Sequence, residues 1–114
     1  MIREHVLDVY EVRLVLASTP KDVKKLRRRY GDQIDHAAFD GMGSTSTLEG
    51  SNDIVIYVDG SQPRLKMVNT VAHEAYHAAG FILDSVGQPF DPGTEAMAWL
   101  VGWLAEWICT HLEC

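Results

Sequence analysis

The stretch 94–112, TEAMAWLVGWLAEWICTHL, constrains the fold more than any other part of the chain. Placed on a helix of about five turns, its Met97, Leu100, Val101, Leu104 and Ile108 cover one broad side and Trp99, Trp103 and Trp107 another. Such a helix is apolar nearly all round. It must therefore be central to the fold or form a homodimer contact. The three tryptophans continue a four-residue spacing from Glu95, and large residues at that spacing are more often core or subunit contact than the wall of a pocket.

Upstream the pattern changes. Residues 5–17, HVLDVYEVRLVLA, set Val6, Asp8, Tyr10, Val12, Leu14 and Leu16 on one parity, which predicts a first strand. Residues 18–31 then predict a helix, with Ser18 or Thr19 as cap, Pro20 in the first turn and Gly31 as the stop. Residues 41–60 predict two strands around a GSND turn. In the second, Ile54, Ile56 and Val58 share one face and Val55, Tyr57 and Asp59 the other. A helix follows from about Leu65 to Leu83, then a loop at 84–93 with two prolines and two glycines. Strands first and long helices afterwards predict a single α+β domain over residues 1–114, its helices packed on one face of a small sheet.

The hydrophobic share of 46% and charged share of 23% are those of a soluble globular chain, and no apolar run reaches the length of a membrane span. The opening MIREHVLDVYEV mixes charges with apolar residues, unlike a secretory signal peptide, so the expected location is the cytoplasm. Cys109 and Cys114 lack C-x-x-C spacing and are expected to be plain thiols. Residues 1–66 hold all ten Lys and Arg against ten acids, whereas residues 67–114 hold six acids and no base; the net charge of −6 comes from the second part. Chemistry in that part is expected to involve a cation, with no nucleic acid and no membrane as partner. The basic run Lys21, Lys24, Lys25, Arg27, Arg28 and Arg29 has no interleaved aromatics and reads as a solvated helix face.

Within NTVAHEAYHAAG, residues 69–80, His73, Glu74 and His77 form H-E-x-x-H. On a helix the two histidines lie one turn apart on one face, able to converge on one ion. Glu74 is offset by one residue, so it is poorly placed as a ligand but within reach of a water at that ion, whose proton it can take. Catalytic zinc usually takes three protein ligands and leaves one position open. Two carboxylates compete for third place. Gly80 extends the motif towards the metzincin pattern, but Leu83 stands where that pattern needs a ligand, and Asp84 comes one place late. Glu95 opens the next helix eighteen residues beyond His77, with the short Ala96 and Ala98 beside it to permit close approach. Glu106 lies about three turns, roughly 16 Å, further along and cannot share an ion with Glu95. Asp91 reads as a cap before Pro92.

An H-E-x-x-H helix followed by a glutamate on a second helix resembles the gluzincin type of zincin-like metallopeptidase, over about residues 54–105. It is similar to the smallest, single-domain members, some of them encoded by phages. The resemblance implies a short, mostly antiparallel sheet whose edge strand receives an extended peptide, an active-site helix and a glutamate helix. It makes His73, His77 and Glu95 the zinc ligands, Glu74 the general base, and residues 53–59 the substrate strand. It implies zinc-dependent hydrolysis of a peptide or protein substrate, although two imidazoles and a carboxylate also suit iron or cobalt. One departure is Trp99, four residues after Glu95, where some gluzincins keep an aspartate that orients a ligand histidine. Tyr57 and Tyr76 are candidate donors to an oxyanion. His5, His36 and His111 have no partner at ligand spacing. The alternative is a zincin-fold binding or regulatory protein, weakly active or inactive, acting through its apolar last helix.

Overall fold

The computed structural model describes residues 1–34, 41–88, 91 and 93–114. The expected first strand is two. β1 (Ile2–Leu7) and β2 (Val12–Ala17) pair antiparallel from Ile2↔Ala17 to Leu7↔Val12. Between them the Tyr10 amide donates to the Leu7 carbonyl at 3.1 Å and the Glu11 amide to the Asp8 carbonyl at 3.2 Å, while Glu11 adopts a φ of 54°. Neither glycine, proline nor asparagine marks this turn, and the alternating pattern runs through it unbroken.

Helix α1 (Pro20–Tyr30) starts and stops where expected. The Thr19 hydroxyl accepts the Asp22 amide, the Asp22 carboxylate accepts the Thr19 amide, and Gly31 closes the helix at a φ of 65°. A short 3-10 turn (Gly31–Gln33) follows. β3 (Gly43–Thr47) and β4 (Asp53–Val58) form the expected antiparallel hairpin, with Gly50 at a φ of 76° in the turn. The order is β1-β2-β4-β3, and β2 and β4 run parallel, Leu14 against Ile54 and Leu16 against Ile56. Two of the three pairings are thus antiparallel. Both central strands are apolar at nearly every position because both their faces are covered.

That double cover departs from the expected single layer of helices. On one face Leu14, Leu16, Ile54, Ile56 and Val58 pack with α2 (Arg64–Ser85) and α3 (Glu95–Leu112). On the other, Val15, Ala17, Val55 and Tyr57 pack with Val23 and Leu26 of α1. The charged remainder of α1 gives it only a narrow apolar stripe, and Ile34 and Leu48 join that stripe in covering the second face. α3 buries one face, Met97, Leu100, Leu104 and Ile108, while Ala96, Ala98, Trp99 and Gly102 on the rest of it are exposed. On α2 the small residues buried completely are Ala75, Ala78 and Ala79, in the same cluster as the buried residues of α3 and so placed to permit close approach. Ala96 and Ala98, expected in that role, face solvent. Trp103 and Trp107 lie stacked and partly buried beside His5 of β1, whereas Trp99 is 59% exposed.

The two cysteines, expected as separate thiols, are joined. Past Leu112 the chain reverses at Glu113, φ 58°, and the Cys114 amide donates to the Cys109 carbonyl at 3.2 Å. The reversal brings the two Cα atoms to 4.8 Å and closes the disulfide. Among the described residues no helix is long and apolar enough to cross a membrane.

Candidate metal centre

Helix α2 lies over β3 and β4, and its register divides the H-E-x-x-H residues between two environments. Thr70, Val71, Glu74, Ala75 and Ala78 turn inward; His73 and His77 stay in solvent. The division is sharp at the motif itself, where the His73 side chain is 64% exposed and that of Glu74 only 6%.

The imidazoles converge. Their Nε2 atoms are 3.1 Å apart and the rings meet edge to face. Without metal, one ring donates to the other, which needs two different tautomers. Two nitrogens bonded to one tetrahedral zinc stand roughly 3.3 Å apart, close to the separation seen here. Glu74 enters from the buried side. Its Oε2 is 3.9 Å from His73 Nε2. Its Oε1 accepts a hydrogen bond from the Thr45 hydroxyl at 2.8 Å.

Thr45 reaches Glu74 because β3 and α2 approach unusually closely. A Cβ added to Gly43 would stand 2.5 Å from Thr70 Cγ2, 3.1 Å from Glu74 Cγ and 3.1 Å from the Tyr57 carbonyl oxygen. Thr70 cannot easily yield, since its hydroxyl lies 2.9 Å from Gln62 Oε1 and 3.1 Å from the Lys66 carbonyl. Gly43 and Thr45 thus belong to the site, and nothing local in the sequence marked them. Their partners lie on another element, and only the β3–β4 hairpin brings them together.

The other expected residues are placed as follows. Glu95 stands exposed in the first turn of α3, behind the Thr94 cap whose hydroxyl accepts the Met97 amide at 3.3 Å. It is not gathered with the histidines: among the described residues no group of three or more His, Cys, Asp and Glu is arranged to hold a metal ion. Asp84 and Asp91 are exposed. The strand expected to receive substrate, 53–59, contains β4, which is paired on both sides and has no free edge. Among the described residues the edge beside α2 is β3. Tyr57 is buried against the α1 side of the sheet, away from α2; burial, then the charges of Asp59 and Asp22, push its phenol above the ordinary tyrosine value. Tyr76 stays on the surface with its ring 6.4 Å from that of His77. His36 lies outside the described residues.

Phe81 follows His77 by one turn, and with Thr47, Ile54 and Asp84 it lines a pocket of about 320 Å³ where β3 ends. A hollow of about 600 Å³ near Ser18, Gly60 and His111 contains none of the motif residues. Comparison of the chain with family models, curated proteins and solved structures gives no match.

Proposed function

We propose that this chain is a minimal zincin-like metallopeptidase of the gluzincin type, in which His73, His77 and Glu95 hold zinc and Glu74 is the general base for peptide-bond hydrolysis. One observation carries the reading: two exposed imidazole nitrogens converge at 3.1 Å while a buried carboxylate stands 3.9 Å from one of them, His73 Nε2. Burying a carboxylate is costly unless it is paired or put to use. A helix that only needed packing at position 74 has no reason to bury an acid there. The imidazole pair supplies two of the three ligands; Glu95 at the head of α3, although not gathered with the pair, is assigned as the third on the resemblance of the two helices to the gluzincin pattern.

Bound zinc would supply Lewis acidity to the attacking water and to the scissile carbonyl. The protein's part is proton transfer and alignment. Glu74 Oε2 takes the proton of the water and returns it to the leaving amine. The substrate lies extended along the outer edge of β3, where backbone hydrogen bonds hold it in register. The pocket beside Phe81 accepts one of its side chains. The exposed imidazoles leave the reacting bond open to solvent on one side. We place the reaction in the cytoplasm, where the Cys109–Cys114 bond meets reducing thiols.

Elemental analysis of the purified protein, alongside His73→Ala and Glu95→Ala, tests the ligand set. About one zinc per chain in the wild type, lost in both variants, together with cleavage of an unfolded protein substrate, is the expected result. Wild-type protein that takes up no zinc when supplied with it refutes the reading and leaves a binding protein acting through α3, where Trp99 is already exposed. Zinc retained in Glu95→Ala refutes the third ligand alone.

A further inference from the structure

Thr45 lies 29 residues before Glu74, on another element, and no motif includes it. Its hydroxyl nevertheless donates to Glu74 Oε1 at 2.8 Å and lies 3.3 Å from the Glu74 backbone oxygen. We propose that Thr45 is a positioning residue for the general base: it occupies one carboxylate oxygen so that the other is presented to the imidazole pair. The proposal rests on the hydrolase reading above.

The need for such a device follows from the side chain. Glutamate has three rotatable bonds and two equivalent oxygens, and a base that wanders among rotamers spends little time aligned with the water it must deprotonate. Here the stem is buried, the Glu74 side chain being only 6% exposed, with Gly43 of β3 close beside its Cγ. The final torsion is fixed by the hydroxyl. With Oε1 engaged by Thr45, Oε2 is left 3.9 Å from the exposed His73 Nε2. β3 thereby joins two tasks, since the edge strand proposed to hold the peptide also orients the base that attacks it. Substrate register and base orientation are set by one element.

Thr45→Val removes the hydroxyl and keeps the branched shape; Thr45→Ser keeps the hydroxyl. Thr45→Ala is a second hydroxyl-free variant should valine not fit. Each is checked for folding by circular dichroism and for zinc by elemental analysis, and kcat and KM are measured on a peptide that the wild type cleaves. Independently of activity, the metal-free proteins are labelled with glutamate carrying ¹³C at the carboxyl, and the Glu74 resonance is assigned as the one missing in Glu74→Gln. Thr45→Val is expected to move that resonance, to keep zinc and KM near wild type, and to lower kcat by about 10-fold to 100-fold, as misalignment of a reacting group does. Thr45→Ser is expected to restore both signals. A Glu74 resonance unmoved in the hydroxyl-free variants, or a kcat that stays at the wild-type value, overturns the role of Thr45 while leaving the hydrolase reading intact. A wild type that holds no zinc or cleaves no peptide overturns the hydrolase reading instead, and with it the purpose assigned to the contact.

Discussion

Gly43→Ala tests the close approach of β3 to α2 by the sign of its effect. In an ordinary strand interior, replacing glycine by alanine stabilises by about 0.5–1 kcal/mol, because glycine loses more backbone freedom on folding. At position 43 the new methyl instead meets Thr70 Cγ2 at 2.5 Å, with Glu74 Cγ and the Tyr57 carbonyl oxygen each at 3.1 Å. Relief requires either that β3 moves off the helix or that Thr70 turns and gives up its contacts with Gln62 and Lys66. Overpacking of this kind costs about 1–3 kcal/mol, and a forfeited hydrogen bond about 1 kcal/mol more. Set against the backbone gain, the expected net loss is about 1–3.5 kcal/mol, or roughly 4–14 °C in Tm at about 4 °C per kcal/mol for a chain of this size. Urea unfolding followed by circular dichroism measures it. Thr70→Ser, which deletes the obstructing methyl and keeps the hydroxyl, is expected to restore at least half of the loss in the double variant. A single variant as stable as the wild type or more so, or a loss indifferent to Thr70→Ser, refutes the argument.

Three further outcomes are expected. Glu74→Gln should keep about one zinc per chain and lose hydrolysis, since an amide cannot take the proton; loss of zinc in that variant means that Glu74 is a ligand and not the base. Tyr30 is pushed up to about 12 by burial, by its 2.6 Å hydrogen bond to Asp53 and by that carboxylate's charge. A phenol that resists ionisation in the folded state contributes stability that is complete below pH 10 and is lost as pH rises towards 12. Tyr30→Phe should therefore trail the wild type at pH 8 by more than at pH 11; urea titrations at the two values check this, and a gap that widens at pH 11 contradicts it. Reducing the Cys109–Cys114 bond, which spans a sequence separation of only 5, should lower stability by no more than about 2 kcal/mol. Thermal melts with and without reductant measure the difference, and a collapse of α3 on reduction means that the bond, not its buried face, holds the helix.

What the sequence made legible was local. Thr19, Pro20 and Gly31 delimit α1 through backbone rules that need no partner, and the alternation in 54–58 assigns each residue of β4 to its correct face. His73 and His77 were legible because helical spacing alone brings them together. What escaped depends on contacts between distant segments. The parallel pairing of β2 with β4 makes β4 an interior strand, which its own residues do not announce. The turn at 8–11 escaped because a left-handed glutamate interrupts an otherwise continuous pattern. Thr45 and Gly43 escaped because their meaning lies in what stands opposite them.

The two outer strands of the sheet are unlike in a way that bears on what can join it. β1 carries Arg3, Glu4 and His5 in the middle of its length, charged and bulky groups of the kind that discourage a second strand from adding there. β3, Gly-Ser-Thr-Ser-Thr, carries no formal charge and no large side chain. Among the described residues, a chain adding to β3 as proposed would meet little besides main-chain donors and acceptors, and these are the same whatever its sequence. Adhesion to that margin is permissive by construction. Discrimination among sequences has to be imposed elsewhere, by the helix that overhangs the strand.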